Sequence, residues 1–143
     1  MTPDLNVVVA ASRTDHAHHR KALAWLNAAC RTAETGQHLQ ILPMIAVGFL
    51  RLVTHPKVFV NPTPIGDAIA FLDGLLSRPG VESIELGREW PTLLQLCRDK
   101  KLMGNDISDA WIAAVVRMTG SHLVTFDRGF TRLLSKNEVT VLD

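Results

Sequence analysis

Three aspartates, Asp4, Asp109 and Asp127, stand where carboxylates from distant parts of the chain could act together. Residues 104–130, GNDISDAWIAAVVRMTGSHLVTFDRGF, read as an acid-rich turn, a helix, a strand and a second acid. Ser108 can cap a helix that carries Asp109 in its first turn, and Gly120 is placed to end that helix before the apolar run 123–126. Asp127 then follows the C-terminal end of a buried strand, where open α/β sheets place their ligand crevice. Asp4, in PDLNVVVA, adjoins another apolar run. Singly, each acid has a plainer reading: Asp109 meets a helix dipole, Asp127 forms a turn, and Asp4 is a terminal acid. Together, at element ends that a doubly wound sheet can join, they make a hard-oxygen ligand set suited to magnesium or manganese. Asp106 either shares this site or forms the turn before it.

Other chemistry is weaker. In the HAHH run, only His16 and His19 would share a helical face, no third ligand is near, and a solvated helix start is the better reading. No nucleophile elbow, phosphate-cradling glycine loop or dinucleotide fingerprint occurs. Cys30 and Cys97 have no paired spacing and read as free buried thiols. The net charge of +1 gives no overall nucleic-acid footprint. Two loose basic groups, Arg51 with Lys57 and Arg128 with Arg132 and Lys136, read on charge alone as solvated surface.

The elements that must position the acids alternate between strand and helix. With 143 residues, 47% hydrophobic and 20% charged, the chain suits one domain, 1–143, that buries about two-thirds of its unfolded surface. No apolar run reaches a membrane-spanning length and no leader pattern opens the chain, so a cytoplasmic protein is expected. By pattern, 5–11 is a buried strand with Asp4 at its start. Thr14 or Asp15 can cap a helix to about residue 31, with Ala22, Leu23, Trp25, Leu26, Ala29 and Cys30 forming a broad apolar face. A strand at 39–42 and a nearly fully buried helix over 44–54 follow, the latter opened by Pro43. Thr63 caps a helix with Pro64 first and apolar spacing over 65–76; then come a strand at 81–86, a helix around 90–97, and a last strand at 139–142. This alternation implies a parallel sheet covered on both faces.

Four segments in order, DLN, GFLRLVTHPKVF, SDAWIAA and LVTFDRGF, carry a resemblance that periodicity could not supply. The chain resembles the PIN-domain ribonucleases of the VapC toxin family, above all their mycobacterial-type subgroup, over nearly its whole length. The resemblance implies a three-layer α/β/α sandwich with a mainly parallel sheet of about five strands. Asp4, Asp109 and Asp127 match metal-binding acids and Asn6 a polar neighbour of the first; Asp106 and Arg51 are expected as supporting residues beside them. Asp4 would then end a very short first strand, with Val7 to Val9 already turning toward a helix.

Two positions depart from the wider family pattern. Gly48 stands where many PIN domains carry a glutamate, and Gly129 where many relatives carry an acid, which puts a fully occupied two-metal site in doubt. The resemblance further implies a magnesium-dependent endoribonuclease, with manganese as a substitute, that cuts tRNA or rRNA. It implies the toxin of a pair with a VapB-type antitoxin, and a homodimer with candidate surfaces at 65–76 and 90–97. Competing readings are a PIN fold decayed into an RNA-binding platform and a receiver-like signalling domain.

Overall fold

The computed structural model describes residues 1–143. Strand β1 (Thr2–Pro3) leads directly into helix α1 (Leu5–Ser12), followed by α2 (His19–Ala33), β2 (Leu39–Ile41), α3 (Pro43–Val53) and α4 (Ile65–Leu76). Then come β3 (Val81–Ser83), α5 (Trp90–Lys100), α6 (Asp106–Thr119), β4 (Leu123–Thr125), a 3₁₀ turn (Arg128–Arg132) and β5 (Val139–Val141). All pairings are parallel: β1, β4 and β5 form one sheet in that order, and β2 pairs with β3. The two sheets abut where the Gln40 N–H donates to the Met1 carbonyl at 2.8 Å. The strands therefore run β3-β2-β1-β4-β5, and the order reverses at β1. In such a sheet the ligand crevice opens beyond the strand C-termini at that reversal. Asp4 and Asp127 follow the two strands that meet there.

The run 5–11 is helix α1, not the strand its pattern suggests. Five of its residues, Val7 to Ala11, are buried, because Val8 and Val9 enter one hydrophobic core while Val7, Ala10 and Ala11 enter the other. A helix buried on every side has no periodicity to separate it from a buried strand. Asp4 is its N-cap, its carboxylate accepting the Leu5 N–H at 2.7 Å, so the short first strand expected from the resemblance is present.

Three further starts differ from the sequence expectation. Helix α2 begins at His19 rather than after Thr14 or Asp15, because Asp15 is held by the Arg13 guanidinium. Helix α6 begins at Asp106 with Asn105 as N-cap, which places Ser108 inside the first turn. Thr63 does not cap α4; Pro64 does, and the Thr63 hydroxyl accepts from Arg13 at 3.0 Å. Strand β3 stops at Ser83, short of residue 86. Gly120 ends α6 in the left-handed region, φ 63°, as its position predicts. Gly80 admits no side chain, since a Cβ there would lie 2.2 Å from the Ala33 carbonyl oxygen.

Candidate active site

The acids are assembled by a hydrogen-bond network around a residue the sequence reading passed over. Thr125, at the end of β4, is completely buried. Its hydroxyl donates to Asp4 Oδ2 at 2.6 Å and accepts from Asn6 Nδ2 at 3.1 Å and from the Asp127 N–H at 2.9 Å. Asn6 Oδ1 in turn accepts the Phe126 N–H at 3.1 Å, and Asp127 Oδ1 accepts the Gly129 N–H at 2.7 Å. One hydroxyl thus uses its proton and both lone pairs to join β1, α1 and the segment after β4. A polar side chain in the apolar run before Asp127 was the available signal.

Asp109 completes the group from the first turn of α6, half-buried and one turn after Asp106. None of the ion pairs in the structure includes Asp4, Asp109 or Asp127. Burial pushes the Asp4 carboxyl above the usual range; the Thr125 and Leu5 hydrogen bonds oppose this, and the charges of Asp109 and Asp127 add to it. Asp109 is likewise raised, by burial first, then by Asp127 and Asp106, with Arg132 opposing. Carboxylates held together at such cost are candidates for a functional site. The donor chemistry fits a hard divalent cation. The spacing is open, for no three of these groups stand close enough to form a ready-made chelate.

Three clefts meet at Asp109. One of about 450 Å³ is walled by Lys100, Arg132, Asp106 and Thr131. A second, about 530 Å³, holds Asp4, Arg51, Gly48 and Trp111; the indole of Trp111 donates to the buried Glu89 at 2.7 Å. A third, about 390 Å³, is lined by Asp4, Asp127, Asn6, His16 and Phe59. Asp106 thus lines the first cleft and Arg51 the second, each together with Asp109, and Asp106 pairs loosely with Arg132 at 3.7 Å. His16 and His19 do not share a helical face. His16 lies in the turn before α2, and the His19 ring pairs with the Ala10 carbonyl at 2.9 Å.

The PIN domain family matches residues 1–134, nearly the whole chain and every element of this site. The chain belongs to the PIN-domain family. Among relatives of this PIN domain, Ribonuclease VapC43 of Mycobacterium tuberculosis is 36% identical over 133 residues, covering 90% of this chain and 86% of the relative. Ribonuclease VapC25 of the same organism is 30% identical over 137 residues, covering 95% and 94%. The chain is thus a PIN domain of the VapC type. A crystal structure of VapBC2 from Rickettsia felis bound to a promoter DNA fragment shares the fold, with a TM-score of 0.64 at 19% identity over 99% of this chain and 98% of that one.

The two departures from the family pattern have local reasons. A Cβ at Gly48 would lie 3.0 Å from Leu5 Cδ2, the side chain that follows the α1 N-cap Asp4. A Cβ at Gly129 would lie 3.0 Å from Asp127 Oδ1, the oxygen that accepts the Gly129 N–H. Both glycines leave room for site residues to keep their present positions. Cys30 and Cys97 are free thiols, the former buried and the latter partly so.

Proposed function

We propose that this PIN domain is a magnesium-dependent endoribonuclease, with manganese as a possible substitute, acting as the toxin of a VapBC pair on tRNA or rRNA. The observation that carries this reading is the convergence of Asp4, Asp109 and Asp127 at the sheet's reversal point, two of them held above the ordinary carboxylate range. Asp4, Asp109 and Asp127 would hold the magnesium, which when bound would acidify a water and offset charge on the phosphodiester. Asp4, braced by Thr125 and Leu5, and Asp127, braced by Gly129, present fixed oxygens, while Asp109 has no competing partner. Lys100 and Arg132, on one flank of Asp109, suit contacts to the RNA backbone. Water attack in line leaves 5′-phosphate and 3′-hydroxyl ends.

The VapC names of the relatives and the VapBC neighbour support a VapB-type antitoxin as partner, one that lays a peptide with a basic side chain across the acids. Exposed Ile65, Ile69 and Trp90 on α4 and α5 support a homodimer through those helices. No helix is long and apolar enough to cross a membrane.

The deciding experiment incubates purified protein with end-labelled total tRNA and rRNA, with magnesium, manganese or chelator, beside Asp109→Asn. Discrete metal-dependent cuts with 5′-phosphate ends, absent from the variant, are expected; 2′,3′-cyclic phosphate ends would refute water attack. The open spacing and Gly48 favour one second reading, a PIN fold that binds RNA without cutting it. Binding that persists while no metal yields cuts would select it. The receiver-like alternative has no support from the family match.

A further inference from the structure

The cleft that holds all three acids also holds His16, and nothing in the network around Thr125 uses it. His16 Nδ1 accepts the His18 N–H at 3.1 Å, so a neutral ring carries its proton on Nε2, which has no partner within the protein. Burial, ahead of the neighbouring His18, holds the ring below the ordinary histidine range and favours that neutral form.

The turn presenting His16 is braced from both sides by residues of the same site. Arg13, only 7% exposed, donates to both Asp15 carboxylate oxygens, to Thr63 Oγ1 and to the Asn61 carbonyl. Its guanidinium also lies 3.8 Å over the ring of Phe59, which lines the cleft. The His16 N–H donates to the Arg13 carbonyl at 3.1 Å, and the His16 carbonyl accepts the His19 N–H at 3.0 Å. On the other side the His18 ring stacks on Phe126, the residue before Asp127, with centroids 4.5 Å apart. The turn is therefore held by its own backbone bonds and by Arg13, without need of the second imidazole nitrogen.

A polyanion entering this cleft meets three carboxylates and no lysine or arginine. Asn6 gives one amide N–H to Thr125 and its Oδ1 accepts from Phe126, whereas the His16 ring lines the cleft with its Nε2–H unpaired within the protein. We infer that His16 is a substrate-contacting residue whose Nε2–H donates to a backbone phosphate oxygen of single-stranded RNA, beside the phosphate placed among the acids. This deepens the ribonuclease reading and rests on it only for the chemistry that follows binding.

The test measures binding of a fluorescein-labelled, mixed-sequence single-stranded oligoribonucleotide by anisotropy, with calcium in place of magnesium. It compares the unaltered chain, His16→Ala and His16→Gln, the last retaining a side-chain N–H donor, and pairs each with a melting curve and a manganese titration. His16→Ala is expected to weaken binding about tenfold, with melting and manganese affinity unchanged and with His16→Gln restoring most of the loss. In cleavage the loss should fall on KM and leave kcat nearly unaltered. Unaltered RNA affinity in His16→Ala, an equal loss in both variants, or weakened manganese binding would each overturn the assignment. If the unaltered chain binds but never cuts, the ribonuclease reading fails while a tenfold loss in His16→Ala still upholds His16. If it cuts and His16→Ala matches it in affinity and KM, only the His16 assignment fails.

Discussion

The Thr125 hydroxyl donates to Asp4 Oδ2 at 2.6 Å, joining residues 121 positions apart in a fully buried contact. The same oxygen accepts from Asn6 and from the Asp127 backbone, so one side chain sets the relative position of two acids.

Thr125→Val keeps the shape and removes the hydroxyl, leaving the buried Asp4 carboxylate and the Asn6 amide each short of a partner. An unsatisfied buried group costs about 1–3 kcal/mol, and chemical denaturation should show a loss of that size. Asp4, deprived of a hydrogen bond that favours its charged form, should rise further above the usual carboxylate range. Thr125→Ser should recover most of the stability and any RNA cleavage. A Val variant as stable as the parent would show the network to be incidental.

Asp109→Asn should stabilise the metal-free protein at neutral pH. The folded-state pKa of Asp109 is raised by burial, Asp127 and Asp106, so the folded state holds this proton more tightly than the unfolded chain. That contribution is complete below the ordinary carboxylate pKa and is lost as pH rises through the raised value. Calorimetry in chelator should therefore find a higher Tm for the variant near pH 7, with the gap closing as pH falls into the ordinary carboxylate range. Added magnesium should reverse the order by stabilising only the chain that retains Asp109.

Gly48→Glu introduces an acid at the position where many PIN domains carry one, but its Cβ would meet Leu5 Cδ2 at 3.0 Å. Overpacking of this kind costs about 1–3 kcal/mol. Pairing it with Leu5→Ala should relieve the clash, so the double variant loses less than the two single losses added. Manganese affinity, read by titration, should rise in the double variant above that of Leu5→Ala alone.

Lys100 and Arg132 line the cleft beside Asp109 and are exposed. If both touch phosphates, replacing the two by alanine should lower the slope of log affinity against log salt by about 1.4, from roughly 0.7 per phosphate contact on a single strand. The same slope in parent and double variant would place the RNA elsewhere.

Much of the architecture was legible in local pattern. Pro43 and Pro64 marked helix starts, Gly120 a helix end, and the alternation of apolar runs a covered parallel sheet, because these signals act within a few residues of themselves. The start of α2 was misplaced because Arg13 holds the candidate cap Asp15, and α6 begins at Asp106, ahead of Ser108, after an N-cap at Asn105. Strand β1, two residues long, carries no periodicity at all.

By itself the sequence determined which atoms were available for chemistry: three aspartates at element ends, with motif spacings that resemble one family. Only the tertiary structure decided which of them meet and what else joins them. The buried hydroxyl of Thr125, the imidazole of His16 and the closeness of Gly48 to Leu5 arise where β1, α1, α3 and β4 converge. The physical reason is range: caps and turns are settled by neighbours in sequence, whereas hydrogen bonds and packing across 121 positions exist only once the sheet order has brought β1 beside β4.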